Sequence, residues 1–218
     1  MRVGDTKVLA VASAELVEPY PDRPTEGVLQ FFVELSPMAS PSFEPGRPSE
    51  AAVELMRLLE RALRKSQAVD VESLCVVAAK RVWSVRCDVT VLDHGGNLTD
   101  ASLLAALAAL KHLRLPAVSV SGTGDQAQVR VLPPEQAEHQ PLVSHHPPVS
   151  VSLAFLPPSS GGNNGHGGGG AGSASSGGAG ADESGVCYVL DPSASEESVS
   201  VGGLTVVINQ HQELCALH

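Results

Sequence analysis

The sequence is poor in aromatic residues and in positive charge. Phe, Trp and Tyr make up 3% of its 218 residues, and 14 Lys and Arg stand against 24 Asp and Glu, for a formal net charge of -10. A chain of this charge repels phosphate backbones as a whole, because phosphate binding depends on cationic side chains. Any nucleic-acid site must therefore be a local basic patch.

The chain also lacks the residue spacings of metal, disulfide and nucleotide sites. Its four cysteines include no C-x-x-C pair, and its eight histidines show neither H-E-x-x-H nor zinc-finger spacing. The glycine-rich stretch contains no Gly-Lys-Ser/Thr sequence, so it does not match a phosphate-binding loop. We predict reduced thiols, no metal and no cofactor.

Long apolar runs are missing as well. No segment reaches the ~18 to 20 consecutive apolar residues of a membrane span. The first apolar run, 8–12, is shorter than the ~7 to 15 residues of a signal-peptide core. These absences predict an intracellular protein with no membrane partner.

The order of strand and helix signals predicts an α+β fold with helices packed on sheets. A Gly/Ser-rich stretch, 157–185, predicts a disordered insert that separates a first part, 1–156, from a second part, 186–218. Helices are predicted at 49–65, 100–113 and 193–199. Strands are predicted at 7–17 (as a buried strand), 28–35, 73–79, 82–92, 118–120, 129–132, 149–156, 186–190, 204–209 and 213–217.

The first predicted helix carries the best candidate site. At about 100° per residue, Arg57, Arg61 and Arg64 fall within an arc of about 60°, with apolar side chains on the opposite side. Three aligned guanidinium groups can each fork onto phosphate oxygens. The residues alone leave an alternative open, a solvated helix face on which Glu54 and Glu60 pair with the arginines.

Six ordered motifs resemble the RNase PH-like subunits that form the ring of the eukaryotic RNA exosome. The resemblance covers nearly all of the chain except the insert, and relative to that family we expect the chain to be truncated at both ends. It implies an RNase PH-like α+β domain with duplicated βαβα units and helices packed on mixed sheets. The motifs are 43–47, 57–61, 70–75, 82–88, 92–102 and 145–148.

The same resemblance implies a function. It implies that the chain is a non-catalytic, RNA-binding ring subunit that supports 3′-to-5′ RNA processing and degradation. It also implies that Arg57, Arg61 and Arg64 face the central channel and contact single-stranded RNA. The implied partners are other RNase PH-like ring subunits, especially a catalytic-type partner, and the exosome cap subunits. The implied location is the nucleus, including the nucleolus, and the cytoplasm.

An active phosphorolytic 3′-to-5′ exoribonuclease is the alternative. Phosphorolysis in this superfamily needs a phosphate site and a carboxylate near the scissile bond. Candidate carboxylates are Asp191, Glu196 and Glu197, beside the last predicted strands. They also have a structural interpretation, because acidic residues are favoured at a helix N-terminus. We expect no catalytic residue in this chain.

Overall fold

The computed structural model describes residues 1–46, 48–122, 128–133, 135–157, 180–181 and 187–218. Arg47 of the 43–47 motif and most of the predicted insert lie outside the described residues. In the described part of the chain, each helix is too short or too polar to cross a lipid bilayer.

The described elements form two five-stranded sheets, two short strand pairs and three α-helices. The helices are α1 (Glu50–Leu59), which continues as a π-helical segment (Glu60–Lys65), α2 (Leu98–His112) and α3 (Ala194–Val199). The strands are β1 (Arg2–Val3), β2 (Thr6–Val17), β3 (Val28–Leu35), β4 (Cys75–Val77), β5 (Arg81–Asp93), β6 (Arg114–Leu115), β7 (Val118–Ser121), β8 (Gln128–Val131), β9 (Gln140–Pro141), β10 (Val149–Leu156), β11 (Gly180–Ala181), β12 (Cys187–Leu190), β13 (Gly202–Ile208) and β14 (Leu214–Leu217).

The first sheet is built around β5, which pairs antiparallel with β2 and parallel with β3. α1, its π-helical continuation and α2 cover one of its faces, and the side chains of Leu59, Leu63 and Leu103 are fully buried there. β2 alternates between buried and exposed positions, so the prediction of a buried strand at 7–17 was wrong for one of its faces. That alternation is typical of a sheet with one face on the core and the other toward water.

The second sheet has the order β11-β12-β10-β13-β14, and every pairing in it is antiparallel. One of its faces packs on α2, which therefore lies between the two sheets. α2 is rich in alanine, and the small side chains of Ala101, Ala105 and Ala106 are buried there. Small side chains let a helix approach a sheet closely on both sides.

The predicted α+β class is confirmed, with helices on sheets. The first sheet is mixed as predicted, whereas the second is antiparallel throughout. The longer strands and all three helices lie close to their predicted positions, although β4 covers only the centre of 73–79. Sequence patterns missed β1, β6, β9 and β11, because a two-residue strand has no periodicity.

Candidate nucleic-acid interface

The helix that carries the candidate arginines begins at a side-chain cap. Ser49 Oγ accepts a hydrogen bond from the Ala52 amide at 3.3 Å, and Glu50 places a negative charge in the first turn. Leu55 and Leu58 are buried and hold the opposite side of the helix on the core. The cap and the buried side together fix which side of α1 meets solvent.

The prediction of an α-helix through 65 was wrong for its last six residues, which are π-helical. The Ser66 amide donates to the Arg61 carbonyl, five residues earlier, at 3.1 Å, and Ser66 Oγ donates to the Ala62 carbonyl at 2.6 Å. A π-helical segment holds more residues per turn than an α-helix. The angular spacing expected for Arg64 therefore does not hold.

The structure separates the three predicted RNA-binding arginines into two groups. Arg57 and Arg61 are exposed and have no ion-pair partner among the described residues. Arg64 is half-buried, and its Nη1 lies 3.2 Å from Glu60 Oε1. Thus two exposed cations adjoin a third cation that is paired with a carboxylate.

The three candidate carboxylates all accept hydrogen bonds from other groups of the protein. Asp191 Oδ1 accepts from Asn97 Nδ2 at 2.6 Å, and Glu197 Oε1 accepts from the Asn97 amide at 2.8 Å. Glu196 Oε2 accepts from Ser193 Oγ at 2.7 Å and from the Ser193 amide at 2.8 Å, closing a capping box at α3. These bonds to Ser193 lower the pKa of Glu196, the hydroxyl bond having the larger effect.

Sequence reasoning missed the importance of Asn97. It caps α2 in the left-handed conformation, with φ of 44°, and its side chain is almost fully buried. Its Nδ2 also donates to Asp100 Oδ2 at 2.8 Å, and Asp100 in turn accepts from the amide and hydroxyl of Ser152 on β10 at 3.1 and 2.9 Å. The turn signal at 93–97 located this residue but not its distant partners Asp191 and Glu197, which are 94 and 100 residues away in sequence.

A close backbone approach completes this junction. Gly96 has φ of +114° and forms a β-bridge with Ser193. A Cβ at Gly96 would lie 2.5 Å from the Ala194 nitrogen and 2.5 Å from the Pro192 carbonyl oxygen. Glycine is therefore required both by the backbone angle and by the lack of space.

The sequence also predicts reduced thiols and no metal site. The four cysteines are free thiols, and burial, with a smaller effect of Asp88, raises the pKa of Cys87 to about 12. Among the residues described, no three His, Cys, Asp or Glu side chains are grouped to hold a metal ion.

Two family models match this chain. Residues 1–116 match domain 1 of the 3′ exoribonuclease family, RNase PH, and residues 180–218 match its domain 2. Between them the two matched ranges contain all three helices and every described strand except β7 to β10, which lie between the ranges.

Similar proteins and a solved structure support the same family assignment. Exosome complex component RRP45A of Arabidopsis thaliana is 45% identical over 217 residues, covering 100% of this chain and 62% of the relative. Exosome complex component Rrp42 of Thermococcus kodakarensis is 40% identical over 216 residues, covering 99% of this chain and 67% of the relative. A structure described as the Archaeoglobus fulgidus exosome with RNA bound to the active site is 33% identical with a TM-score of 0.74, covering 100% of this chain and 69% of the solved one. This chain thus spans about two thirds or less of the proteins that it matches.

Proposed function

Because the chain belongs to the 3′ exoribonuclease family of RNase PH-like proteins, we propose that it is a non-catalytic, RNA-binding subunit of an exosome-type ring. It contacts single-stranded RNA through α1 and assists 3′-to-5′ processing and degradation performed elsewhere in the assembly. Its partners are other RNase PH-like ring subunits, especially a catalytic-type subunit, together with the cap subunits. Its processes are maturation of ribosomal RNA and decay of messenger and non-coding RNA, in nucleus, nucleolus and cytoplasm.

The observation that carries this proposal is the exposed pair Arg57 and Arg61. In a chain with net charge -10, two neighbouring guanidinium groups without an acidic partner in the described residues form a local positive site. The buried leucines on the opposite side of α1 keep this pair facing outward. Each guanidinium can donate two parallel hydrogen bonds to a phosphate, whatever the base sequence. We therefore expect backbone recognition without strong base preference.

The occupied N-terminus of α2 supports a non-catalytic role. Free amides at a helix N-terminus attract phosphate. Here the Asn97 amide donates to Glu197 and the Asp100 amide donates to the Asn97 side chain. Asp191 and Asp100 surround the same side chain with negative charge. A phosphate approaching this end of α2 meets carboxylates, and the acids best placed for catalysis are already hydrogen-bonded.

A binding experiment tests the RNA contact. The ring is reconstituted with the wild-type chain and with a variant carrying Arg57→Ala, Arg61→Ala and Arg64→Ala, and RNA protection is measured at low salt. We expect the variant ring to assemble but to bind RNA more weakly by about 1 kcal/mol or more, as loss of phosphate contacts predicts. Unchanged binding at low salt would refute the RNA-contact role.

A second experiment tests the absence of catalysis. The purified chain is incubated with single-stranded RNA and inorganic phosphate, and nucleoside diphosphates are quantified. We expect none above the level of a chain carrying Asp191→Asn. Release of nucleoside diphosphates by the wild-type chain alone, lost in the Asp191→Asn variant, would identify it as a phosphorolytic exoribonuclease instead.

A further inference from the structure

A charged cleft adjoins the candidate RNA interface. It encloses about 390 Å³ between the loop that joins β2 to β3 and the end of the π-helical segment. The loop contributes Arg23 and Glu26, and the segment contributes Glu60, Arg64 and Lys65. Arg64 thus belongs both to the predicted set of RNA-binding arginines and to the lining of this cleft.

The π-helical geometry separates the cleft from the exposed arginine pair. Arg57 and Arg61 do not line the cleft, although Arg64 follows Arg61 by only three residues. In this segment the Ser66 amide donates to the Arg61 carbonyl, five residues earlier, so each turn holds more residues than an α-helical turn. Arg64 and Lys65 are therefore turned away from the directions that α-helical spacing predicts. The cleft is a second cationic surface beside the first.

Backbone hydrogen bonds fix the shape of the cleft. The Gly27 amide donates to the Val71 carbonyl at 2.8 Å, and both residues line the cleft. At the end of the helix Gln67, which also lines it, has φ of 57°, and its amide donates to the Arg64 carbonyl at 3.1 Å. The cleft is therefore built by the folded backbone and not by side chains alone.

The composition of the cleft favours a phosphate group over an apolar ligand or a base. Of its eight lining residues in the described part of the chain, three are cationic, two are acidic, and Val71 alone has an apolar side chain. Sites for small molecules are lined mainly by apolar and aromatic side chains, and bases bind by stacking on aromatic rings. Three cations against two carboxylates leave an excess of one positive charge, in a chain with a net charge of -10.

Two of the three cations are available to a phosphate at little cost. Lys65 is exposed and has no ion-pair partner among the described residues. Arg23 Nη1 lies 3.1 Å from Glu26 Oε2, but the arginine side chain is 61% exposed. Exposed ion pairs contribute little to stability, so Arg23 can exchange this carboxylate for a phosphate.

We propose that this cleft binds one phosphodiester group of single-stranded RNA, different from the phosphates bound by Arg57 and Arg61. Lys65 makes the main contact, and Arg23 turns from Glu26 to complete it. The proposal rests on the proposed function, because it extends the RNA contact from α1 to the loop between β2 and β3. Since the contacts go to phosphate, the cleft adds affinity without base preference.

The first test measures the salt dependence of RNA binding by the reconstituted ring. We expect Lys65→Ala to reduce the slope of log affinity against log salt by about 0.7, the value for one phosphate contact on a single strand. Lys65→Gln, which keeps most of the aliphatic side chain, should give the same result. Arg23→Ala should reduce the slope by less, because Arg23 must leave Glu26 before it binds RNA.

Two controls remove the same charge elsewhere. Lys111→Ala replaces an exposed lysine at the end of α2. Arg81→Ala replaces an arginine which, like Arg23, has an exposed carboxylate nearby, Glu18 at 4.0 Å. Neither residue lines the cleft, so both variants should keep the wild-type slope.

The second test locates the phosphate. The ring is titrated with RNAs that carry one uncharged methylphosphonate linkage at successive positions, and a 5′ stem-loop fixes the register of the single strand. We expect one position at which the uncharged linkage weakens binding severalfold in the wild-type ring but not in the Lys65→Ala ring. A different position should behave in this way for Arg61→Ala. Such non-additivity identifies a direct contact.

The outcomes separate this proposal from the proposed function. If Lys65→Ala behaves like the controls while Arg61→Ala weakens binding, the cleft proposal is overturned and the contact at α1 stands. If neither variant changes binding, both are overturned. The cleft proposal is also overturned if the two variants share one linkage position, or if Lys65→Ala prevents ring assembly, which would make the cleft a subunit contact. Binding of inorganic phosphate to the RNA-free ring, abolished by Lys65→Ala, would identify a site for free phosphate instead.

Discussion

Arg64 Nη1 lies 3.2 Å from Glu60 Oε1, whereas Arg61, three residues before Arg64, has no such partner among the described residues. The pair is about 40% exposed on both sides, so it contributes little to stability. Its effect on the proposed RNA site is larger, because Glu60 brings a negative charge to a surface that must attract phosphate. The arginines are therefore not equivalent.

Single replacements should reveal this difference. We expect Arg61→Ala to reduce the slope of log affinity against log salt by about 0.7, the value for one phosphate contact on a single strand. Arg64→Ala should reduce it by less, because this side chain must leave Glu60 before it can bind RNA. The measurement is RNA binding by the reconstituted ring at several salt concentrations. Arg81→Ala, on β5, is the matched control, and an equal slope change for all three variants would contradict our assignment.

Removing the charge of Glu60 should have the opposite effect. Glu60→Gln keeps the length of the side chain and releases Arg64 from its ion pair. We expect RNA affinity to rise severalfold at low salt, with a steeper salt dependence, because one more cation becomes available. Glu54→Gln removes the same charge from α1 without breaking the Arg64 pair and is the control. An equal rise of RNA affinity in both variants would mean that the net charge of the helix, and not the release of Arg64, determines the affinity.

The helices, the longer strands and the exposed arginines could be predicted from local patterns. Ser49 is followed by an acidic first turn and by leucines at helical spacing, and these signals located α1 correctly. The π-helical segment could not be predicted in this way. Its consecutive residues Ala62 and Leu63 are both fully buried in the core, and such packing depends on the tertiary structure rather than on a local pattern.

The junction around Asn97 shows the other limit of sequence patterns. The 93–97 turn and the acidic 191–197 segment were both recognised, but as separate local features. Their hydrogen bonds join residues up to 100 positions apart, and no periodicity records such a distance. The same limit applies to the second sheet, because alternation shows that a strand has two faces but not which one meets α2.

The close approach at Gly96 can be tested against a second glycine. Gly96→Ala adds a Cβ 2.5 Å from the Ala194 nitrogen, at a φ of +114°. Gly46→Ala has nearly the same φ, +111°, but nothing within 4 Å of its Cβ. We expect Gly46→Ala to cost about 1 kcal/mol or slightly more of unfolding free energy from backbone strain, and Gly96→Ala to cost clearly more. Urea denaturation measures both, and equal costs would show that the contact with Ala194 is not tight.

Asn97→Asp should make stability dependent on pH. The replacement keeps the cap acceptor but turns the donor that faces Asp100 and Asp191 into a third carboxylate oxygen. Repulsion from these two carboxylates raises the pKa of the new carboxyl group in the folded state. The replacement therefore destabilises the protein little below the unfolded pKa of ~3.9, and the destabilisation grows as the pH rises through the folded-state pKa. At pH 7 we expect a loss of about 1 to 3 kcal/mol, the cost of leaving buried polar groups unsatisfied. Urea denaturation at pH 7 and pH 4.5 checks this, with Asn97→Ser as the uncharged control; a loss that does not change with pH would contradict it.

The capping box of α3 should weaken in acid. The two bonds from Ser193 hold the pKa of Glu196 below its ordinary value, so the carboxylate stabilises the folded state fully above its unfolded pKa of ~4.3 and loses this effect as the pH falls through the lower folded value. We expect hydrogen-exchange protection of the α3 amides, referenced to those of α2, to decline below pH 4. Glu196→Gln should start with less protection at pH 7 and show no such decline. The decisive measurement is the protection of the α3 amides relative to those of α2, followed from pH 3 to pH 7 in the wild-type chain and in Glu196→Gln. If this ratio changes with pH in the same way in both proteins, Glu196 is not the group that titrates.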